Sequence, residues 1–266
     1  MAADPPSRPM ILRRFDGASR SPRVHVFGSD RSAARALARR IADALQANPQ
    51  LVLGLPTGRT PVALYQELVS LHAHGRADFS RASTFNLDEF LGVPPSHAGS
   101  YRTFMERHLF SHVNIPAAHV YFLDGSAPDP AHECARYDEI IAERGGIDLQ
   151  VLGIGANGHI GFNEPAPVLQ AGTHRVTLKP DTRRSNAALF GGDAAQVPAE
   201  ALSMGMATIL RARSIVLLAT GRSKAACVER MLHGPLTTEL PASFLQLHHD
   251  VDVMLDEAAA ERLRVQ

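Results

Sequence analysis

Short runs of branched apolar residues recur along this chain, and between them apolar residues return every three or four positions. The runs over residues 24–27, 51–55, 82–87, 120–123, 149–154, 214–220 and 251–255 read as buried strands, each bounded by Gly, Pro, Asn or Asp. Residues 174–178 are a further strand candidate. Between these runs the period lengthens. Ala33, Leu37, Ile41 and Leu45 recur at a spacing of four behind a cap at Ser29 or Asp30, which predicts a helix to about Gln46. Pro61 starts a second helix to about Leu71, and Pro198 is placed to start another over residues 199–210. Residues 100–112 and 132–143 and a stretch from about Ser223 read as helices, and a short one closes the chain. Strands alternating with helices of ten or more residues predict an α/β fold: a single-domain, doubly wound, mostly parallel sheet with helices on both faces. No repeat or linker divides residues 21–266, while residues 1–20, with Pro5, Pro6 and Pro9, read as a flexible leader.

Composition narrows the class. A chain of 266 residues can bury one sizeable core. The 27 basic and 27 acidic side chains cancel, so no overall field draws it to nucleic acid or to a membrane surface. Cys134 and Cys227 are the only cysteines, too few for a disulfide framework or a cysteine zinc site. No apolar run approaches the ~20 residues needed to cross a bilayer. In the leader the one apolar piece, Met10–Leu12, is too short for a signal sequence. A cytoplasmic protein is expected.

In a parallel sheet of this kind, ligands sit outside the carboxyl ends of the strands. Four such ends carry reactive or phosphate-holding residue types. Leu55 leads into Thr57, Gly58, Arg59 and Thr60, a turn of N–H groups and hydroxyls at a helix start, suited to a phosphate. Leu87 leads into Asp88 and Glu89, adjacent acids of which one can face inward as a base. Ile154 leads into a loop with Gly155, Gly158 and Gly161 that carries Asn157, His159, Asn163 and Glu164. Thr220 leads into Gly221, Arg222, Ser223 and Lys224, a helix start with a cation. Each has an ordinary reading by itself: a glycine turn, a solvated helix start, a structural histidine, a solvated lysine. Their occurrence together at four strand ends favours a site. His108 and His112 share a predicted helix face, but Leu109 follows the first, so the zinc pattern His-Glu-x-x-His is absent. The Gly-x-Ser-x-Gly elbow of α/β hydrolases is absent too. Acids, a histidine and phosphate loops without a metal set, a cofactor motif or a nucleophile suggest proton transfer on a phosphorylated sugar.

Four stretches carry a family resemblance: Leu53-Gly-Leu-Pro-Thr-Gly-Arg-Thr-Pro61, Thr84-Phe-Asn-Leu-Asp-Glu-Phe90, Gly153-Ile-Gly-Ala-Asn-Gly-His-Ile-Gly-Phe-Asn-Glu-Pro165 and Asp181-Thr-Arg183. From about Val24 to about Leu255 the chain resembles the glucosamine-6-phosphate deaminases. The 6-phosphogluconolactonases share the fold and a similar loop without the Phe-Asn-Glu-Pro continuation. The resemblance implies conversion of glucosamine 6-phosphate and water to fructose 6-phosphate and ammonium, without cofactor or metal. It implies that Asp88 moves the C2 proton to C1 and that His159, helped by Glu164, handles the ring oxygen. Thr57, Gly58 and Lys224 match the family's phosphate contacts. A lactonase, a deaminase of galactosamine 6-phosphate and a non-catalytic sugar-phosphate sensor remain as alternatives, and homo-oligomerisation stays open.

Two departures stand out. Asn157 occupies a position where some members have Asp, so an amide is expected to hold His159 and to stabilise its imidazolium less well. After Asp181-Thr-Arg183 the family has a phosphate-binding Arg where this chain has Ala188, and its Gly-Gly-Thr-Pro loop here reads Gly58-Arg59-Thr60-Pro61. The cation is expected to have moved to Arg59, with Arg183 and Arg184 as further candidates; the bland alternative is an Arg59 that points to solvent.

Overall fold

The computed structural model describes residues 10–12 and 22–263. Its strands are β1 (Met10–Leu12), β2 (Arg23–Phe27), β3 (Val52–Leu55), β4 (Ser83–Asn86), β5 (Asp88–Phe90), β6 (Val120–Tyr121), β7 (Leu149–Leu152), β8 (His174–Thr177), β9 (Glu200–Ser203), β10 (Ser214–Ala219) and β11 (Val251–Asp256). Its helices are α1 (Asp30–Ala47), α2 (Pro61–Ala73), α3 (Tyr101–His108), α4 (Pro130–Glu143), α5 (Pro180–Asn186), α6 (Met206–Leu210), α7 (Ala225–His233) and α8 (Glu257–Ala260). Eight strands form one sheet in the order β1-β2-β11-β10-β7-β3-β4-β6, parallel except for β1.

The continuous apolar runs are explained by burial on both faces. In β10, Ile215 and Leu217 face a core shared with Tyr137 and Ile141 of α4 and Val228 and Met231 of α7. Val216 and Leu218 face the opposite core, shared with Leu37 and Ile41 of α1 and Leu64 and Leu68 of α2. This is the expected doubly wound arrangement. The α1 stripe behaves as its spacing predicted: Ala33, Leu37, Ile41 and Leu45 are all buried, and Ser29 caps the helix by accepting the Ser32 N–H.

The expectation of a helix over residues 199–210 is corrected. Glu200–Ser203 is instead the middle strand of a second, antiparallel sheet in the order β5-β9-β8, and only Met206–Leu210 is helical. Glu, Ala and Leu favour helix, but both edges of this segment are paired, Ser203 opposite Asp88 on one side and His174 on the other. Tertiary pairing overrides a weak intrinsic preference. Gly205 then turns the chain, packed so tightly that an added Cβ would lie 2.0 Å from the Gly172 carbonyl oxygen. Asp88 and Glu89, read as the residues that follow the strand over 82–87, form a short strand of their own. The helix expected over residues 100–112 ends at His108, and His112 sits on a separate 3-10 turn with its Nε2 on the Arg107 carbonyl.

At the amino-terminal end of the main sheet a buried carboxylate, Asp252, gathers Arg23, His25 and Arg40. Although burial works against its charge, hydrogen bonds from His25, Arg23 and Arg40 hold Asp252 far below the usual carboxylate range. A depressed carboxyl pKa contributes stability above its unfolded value, and that contribution is lost as pH falls toward the folded value. Asp252→Ala is therefore expected to destabilise toward the low end of about 3–5 kcal/mol, since both guanidinium groups keep about a third or more of their surface in water. Urea unfolding at pH 7 measures the loss. Of the residues read as a leader, Met10–Leu12 pairs antiparallel with β2, and the others lie outside the described residues.

Candidate active site

The carboxyl ends of β3, β7 and β10 lie side by side in the sheet order, and the small sheet brings Asp88 against the loop that follows β7. That loop closes on itself through the Gly155 N–H, which donates to the His159 carbonyl at 2.9 Å. Gly155 has to be glycine: a Cβ there would lie 2.2 Å from the His159 ring, which packs against the backbone. The loop is then sewn to β9. Phe162 N–H donates to Ser203 Oγ at 3.0 Å, and Asn163 Nδ2 donates to the Ile160 and Met204 carbonyls at 2.9 and 2.8 Å. Asn163, noted in the sequence for its polarity, serves here as a bracket.

His159 Nδ1 faces Glu164 Oε2 at 3.5 Å, an ion-pair distance too long for a good hydrogen bond. Glu164 is buried, and its other contacts are closer. Asn157 Nδ2 donates to Oε2 at 2.8 Å and the Thr182 hydroxyl donates to Oε1. Burial alone would raise its pKa, yet His159, Thr182 and Asn157 together hold it at about 2. The expectation for Asn157 is corrected in one respect. Its carbonyl accepts the His159 backbone N–H at 3.2 Å, so it holds the loop and Glu164 rather than the imidazole. The carboxylate beside the ring is Glu164.

Asp88 lies beneath this loop. Its Oδ2 is 3.7 Å from where a Gly161 Cβ would stand, and only 6 % of its surface is exposed. Its neighbour Glu89 turns the other way and caps α3, accepting N–H bonds from Phe90, Tyr101 and Arg102 at 2.9, 2.9 and 3.0 Å. Burial pushes Glu89 up to about 7 while these three donors pull it back. Burial first, and the charge of Glu89 second, push Asp88 up to about 8. Glu89, facing three N–H groups at a helix start, is the member of the pair that keeps its charge. Asp88 is left as the carboxyl whose proton can be exchanged near neutral pH.

Across the sheet edge, Gly58 takes φ +104° in the turn after β3 and Lys224 ends the turn after β10. Lys224 is half-buried. Burial, and secondarily the nearby Arg59 charge, lower its pKa. Among the described residues neither cation has a carboxylate or hydrogen-bond partner. Lys224 is half-buried and Arg59 is exposed, as the solvent-pointing alternative had it, and an anion between the two would relieve their repulsion. Thr57 lies in the same turn, its hydroxyl beside that of Tyr101. Thr60 stands at the α2 start without making a side-chain cap.

The other arginines do not join them. Arg183 Nε and Nη2 donate to the Val197 and Ala195 carbonyls, each at 3.0 Å, and Arg184 pairs with Asp181 on the surface. Ala188 is exposed on a 3-10 turn. Thr182 and Tyr101 are functional neighbours that sequence reasoning did not single out. Thr182 lies inside the quoted Asp181-Thr-Arg183 motif, whereas Tyr101 reads as an ordinary aromatic on an amphipathic helix. Among the described residues no group of three or more His, Cys, Asp or Glu gathers as a metal cage.

Comparisons with known proteins agree on a family. A family model described as glucosamine-6-phosphate isomerases/6-phosphogluconolactonase matches residues 29–254. Glucosamine-6-phosphate deaminase 2 of Bacillus subtilis (strain 168) is 48% identical over 225 residues, spanning 84% of this chain and 90% of that one. Glucosamine-6-phosphate deaminase of Cellvibrio japonicus (strain Ueda107) is 50% identical over 215 residues, 81% of each chain. Among solved structures, a monomeric glucosamine-6-phosphate deaminase superposes with a TM-score of 0.87 at 39% identity, covering 91% of this chain and 99% of that one. The 6-phosphogluconolactonase from Trypanosoma cruzi shares the fold, with a TM-score of 0.74 at 21% identity, covering 94% of this chain and 99% of that one. The chain therefore belongs to the glucosamine-6-phosphate isomerase/6-phosphogluconolactonase family.

Proposed function

We propose that this protein is an enzyme that isomerises and deaminates glucosamine 6-phosphate, yielding fructose 6-phosphate and ammonium with uptake of one water. The observation that carries the reading is the pairing of Asp88, a buried carboxyl pushed up to about 8, with a loop that presents His159 beside ionised Glu164. Relatives at 48% and 50% identity named glucosamine-6-phosphate deaminase support it.

The residues take these roles in the proposal. Thr57, Gly58, Arg59 and Lys224 hold the phosphate, by N–H groups and hydroxyl from one turn and by two cations. His159 shuttles the proton between O1 and the ring oxygen as the pyranose opens to the aldehyde, with Glu164 orienting it and countering its charge. Asn157 and Thr182 keep Glu164 ionised and fixed. Asp88 takes the C2 proton while O1 takes one from the substrate's own ammonium group, giving an enolamine, and Asp88 then returns its proton to C1, leaving a protonated ketimine at C2. Water adds to that carbon, ammonia leaves with a proton, and the ketose remains. Thr60 helps shape the turn, while Arg183 is spent on the Val197 and Ala195 carbonyls rather than on the phosphate.

We take residues 21–266 as one catalytic domain behind a leader, and the cytoplasm as its place, since a charged sugar phosphate does not cross membranes unaided. Among the described residues no helix is long and apolar enough to span one.

Ammonium release from glucosamine 6-phosphate, followed in a coupled assay, tests the reading directly. Hydrolysis of 6-phosphogluconolactone without ammonium release from the amino sugar would replace it with a lactonase. The working form of Asp88 is the carboxylate, so kcat/KM is expected to climb with pH and to level off above about 8. Below that value it should fall about ten-fold per pH unit, the slope of a single proton. A flat profile between pH 6 and 8 would remove Asp88 as the base.

A further inference from the structure

We propose that Asp256 is a positioning residue for the phosphate turn: it pins Gly221 from the neighbouring strand and so holds Lys224 where the anion binds. The inference rests on the proposed reading of Lys224 as a phosphate cation. Strands β10 and β11 run side by side, with Ala219 opposite Leu255, so the residues that leave them are neighbours. Asp256 ends β11 and is buried. Its Oδ1 accepts the Ala259 N–H at 2.7 Å, which caps α8. Both of its oxygens also lie 3.0 Å from the Gly221 nitrogen, whose N–H they accept. One carboxylate thus serves its own helix and the exit of the next strand.

The pinned residue is the one that decides the turn. Gly221 takes φ +87°, a conformation that only glycine adopts cheaply, and glycine left to itself samples many others. Its N–H is held by Asp256, and its carbonyl accepts the Lys224 N–H at 3.0 Å. With both backbone groups tied, the 3-10 turn Arg222–Lys224 leaves β10 in one direction and Lys224 starts from one place. A second tie to the same turn, from Arg222 Nε to Glu261 Oε2 at 3.0 Å, lies at the surface, where such pairs are worth little. The holding therefore falls to Asp256. Without it, binding a phosphate has to order the turn as well as bond the anion, and that ordering is subtracted from affinity. Asp88 stands on β5, and His159 and Glu164 on the loop after β7, so the chemical step keeps its geometry.

Asp256→Ala is expected to raise KM for glucosamine 6-phosphate, and Kd for inorganic phosphate, about three- to ten-fold, the cost of ordering one long side chain anew. Its kcat should stay within about two-fold of the parent, the pattern of lost binding rather than lost chemistry. Asp256→Ser separates the two tasks of the carboxylate. Its hydroxyl can cap α8, as Ser29 caps α1, but stops one bond short of Gly221. It should regain the melting temperature lost in Asp256→Ala and keep the raised KM and Kd. Asp256→Asn, whose side-chain oxygen can accept both N–H groups, should bring both constants back toward the parent. An Asp256→Ser that binds phosphate like the parent would make Asp256 a helix cap and no more, and would overturn the proposal. An Asp256→Asn that binds as weakly as Asp256→Ser would overturn it too. If Asp256→Ala does not fold, these two variants carry the comparison. Lys224→Met, measured beside them, keeps the two readings apart. If it binds inorganic phosphate as tightly as the parent, the phosphate site fails and the positioning role with it. If it binds weakly while Asp256→Ala and Asp256→Ser match the parent, only the positioning role fails.

Discussion

Asp88→Asn is expected to lower kcat by about 10²–10⁴-fold, the usual contribution of a positioned general base, with KM for glucosamine 6-phosphate little changed. The amide fills the same volume, so what is lost is an interaction made only in the transition state. Exchange of solvent deuterium into C2 should disappear with turnover; a variant that still exchanges at the parental rate rules out the assignment. Stability supplies an independent reading of the same carboxyl. The fold raises its pKa from the unfolded value near 4 to about 8. A raised carboxyl pKa costs nothing below the unfolded value, costs progressively more as pH climbs between the two values, and is fully unfavourable above the folded one. Asp88→Asn should therefore match the parent in melting temperature at pH 4 and exceed it at pH 8.5. Roughly 2–4 °C is expected for each kcal/mol relieved in a chain of this size.

Removal of the phosphate cations comes next in size. A desolvated contact to a charged group is worth about 1.5–3 kcal/mol, so Lys224→Met should raise KM about ten- to a hundred-fold at ~1.4 kcal/mol per decade. Arg59→Gly should act in the same direction and by at least one decade if the guanidinium touches the phosphate. Its charge already bears on Lys224 with no acid nearby to absorb it. Combining Arg59→Gly with Ala188→Arg should recover much of the loss, giving a large coupling in a double-mutant cycle. An Arg59→Gly enzyme whose KM stays within about two-fold of the parent, well under that decade, would make Arg59 a surface residue and leave the anion to Lys224 and the turn amides.

The parallel sheet was legible because burial on both faces writes long apolar runs into β3, β7, β10 and β11, and because Ser29, Pro61 and Gly221 punctuate them. The same logic placed the central loop correctly, since glycines and polar residues after a buried strand have few other uses. Of the second sheet only β8 was legible, as the strand candidate over residues 174–178; β5 and β9 were not. Those two are three and four residues long, below the length at which a period can be told, and Glu200, Ala201 and Leu202 are better helix formers than strand formers. Within the site, Glu164, His159 and Asp88 could be named from residue type, but their partners could not. Asn157 bonding a backbone N–H and Glu164 instead of the imidazole depends on how the loop closes, and Arg183 turning to two carbonyls and Thr182 reaching Glu164 depend on where α5 lies. That position is fixed by contacts some eighty residues apart in the chain, as between Tyr101 and Asn186.

The small sheet has a core of its own, in which Phe90, Val93, Tyr101, Phe162, Leu178, Val197 and Ala201 pack apart from the two larger cores around the main sheet. Local opening costs least where the fewest apolar contacts must be given up. Asp88 and the Ser203 bracket of the His159 loop lie on β5 and β9, with that minor core on one side and Leu87, Leu202 and Met204 in the largest core on the other. The catalytic carboxyl thus sits at a seam between a small core and a large one, and a slight parting of that seam is expected to silence the molecule before the parallel scaffold gives way.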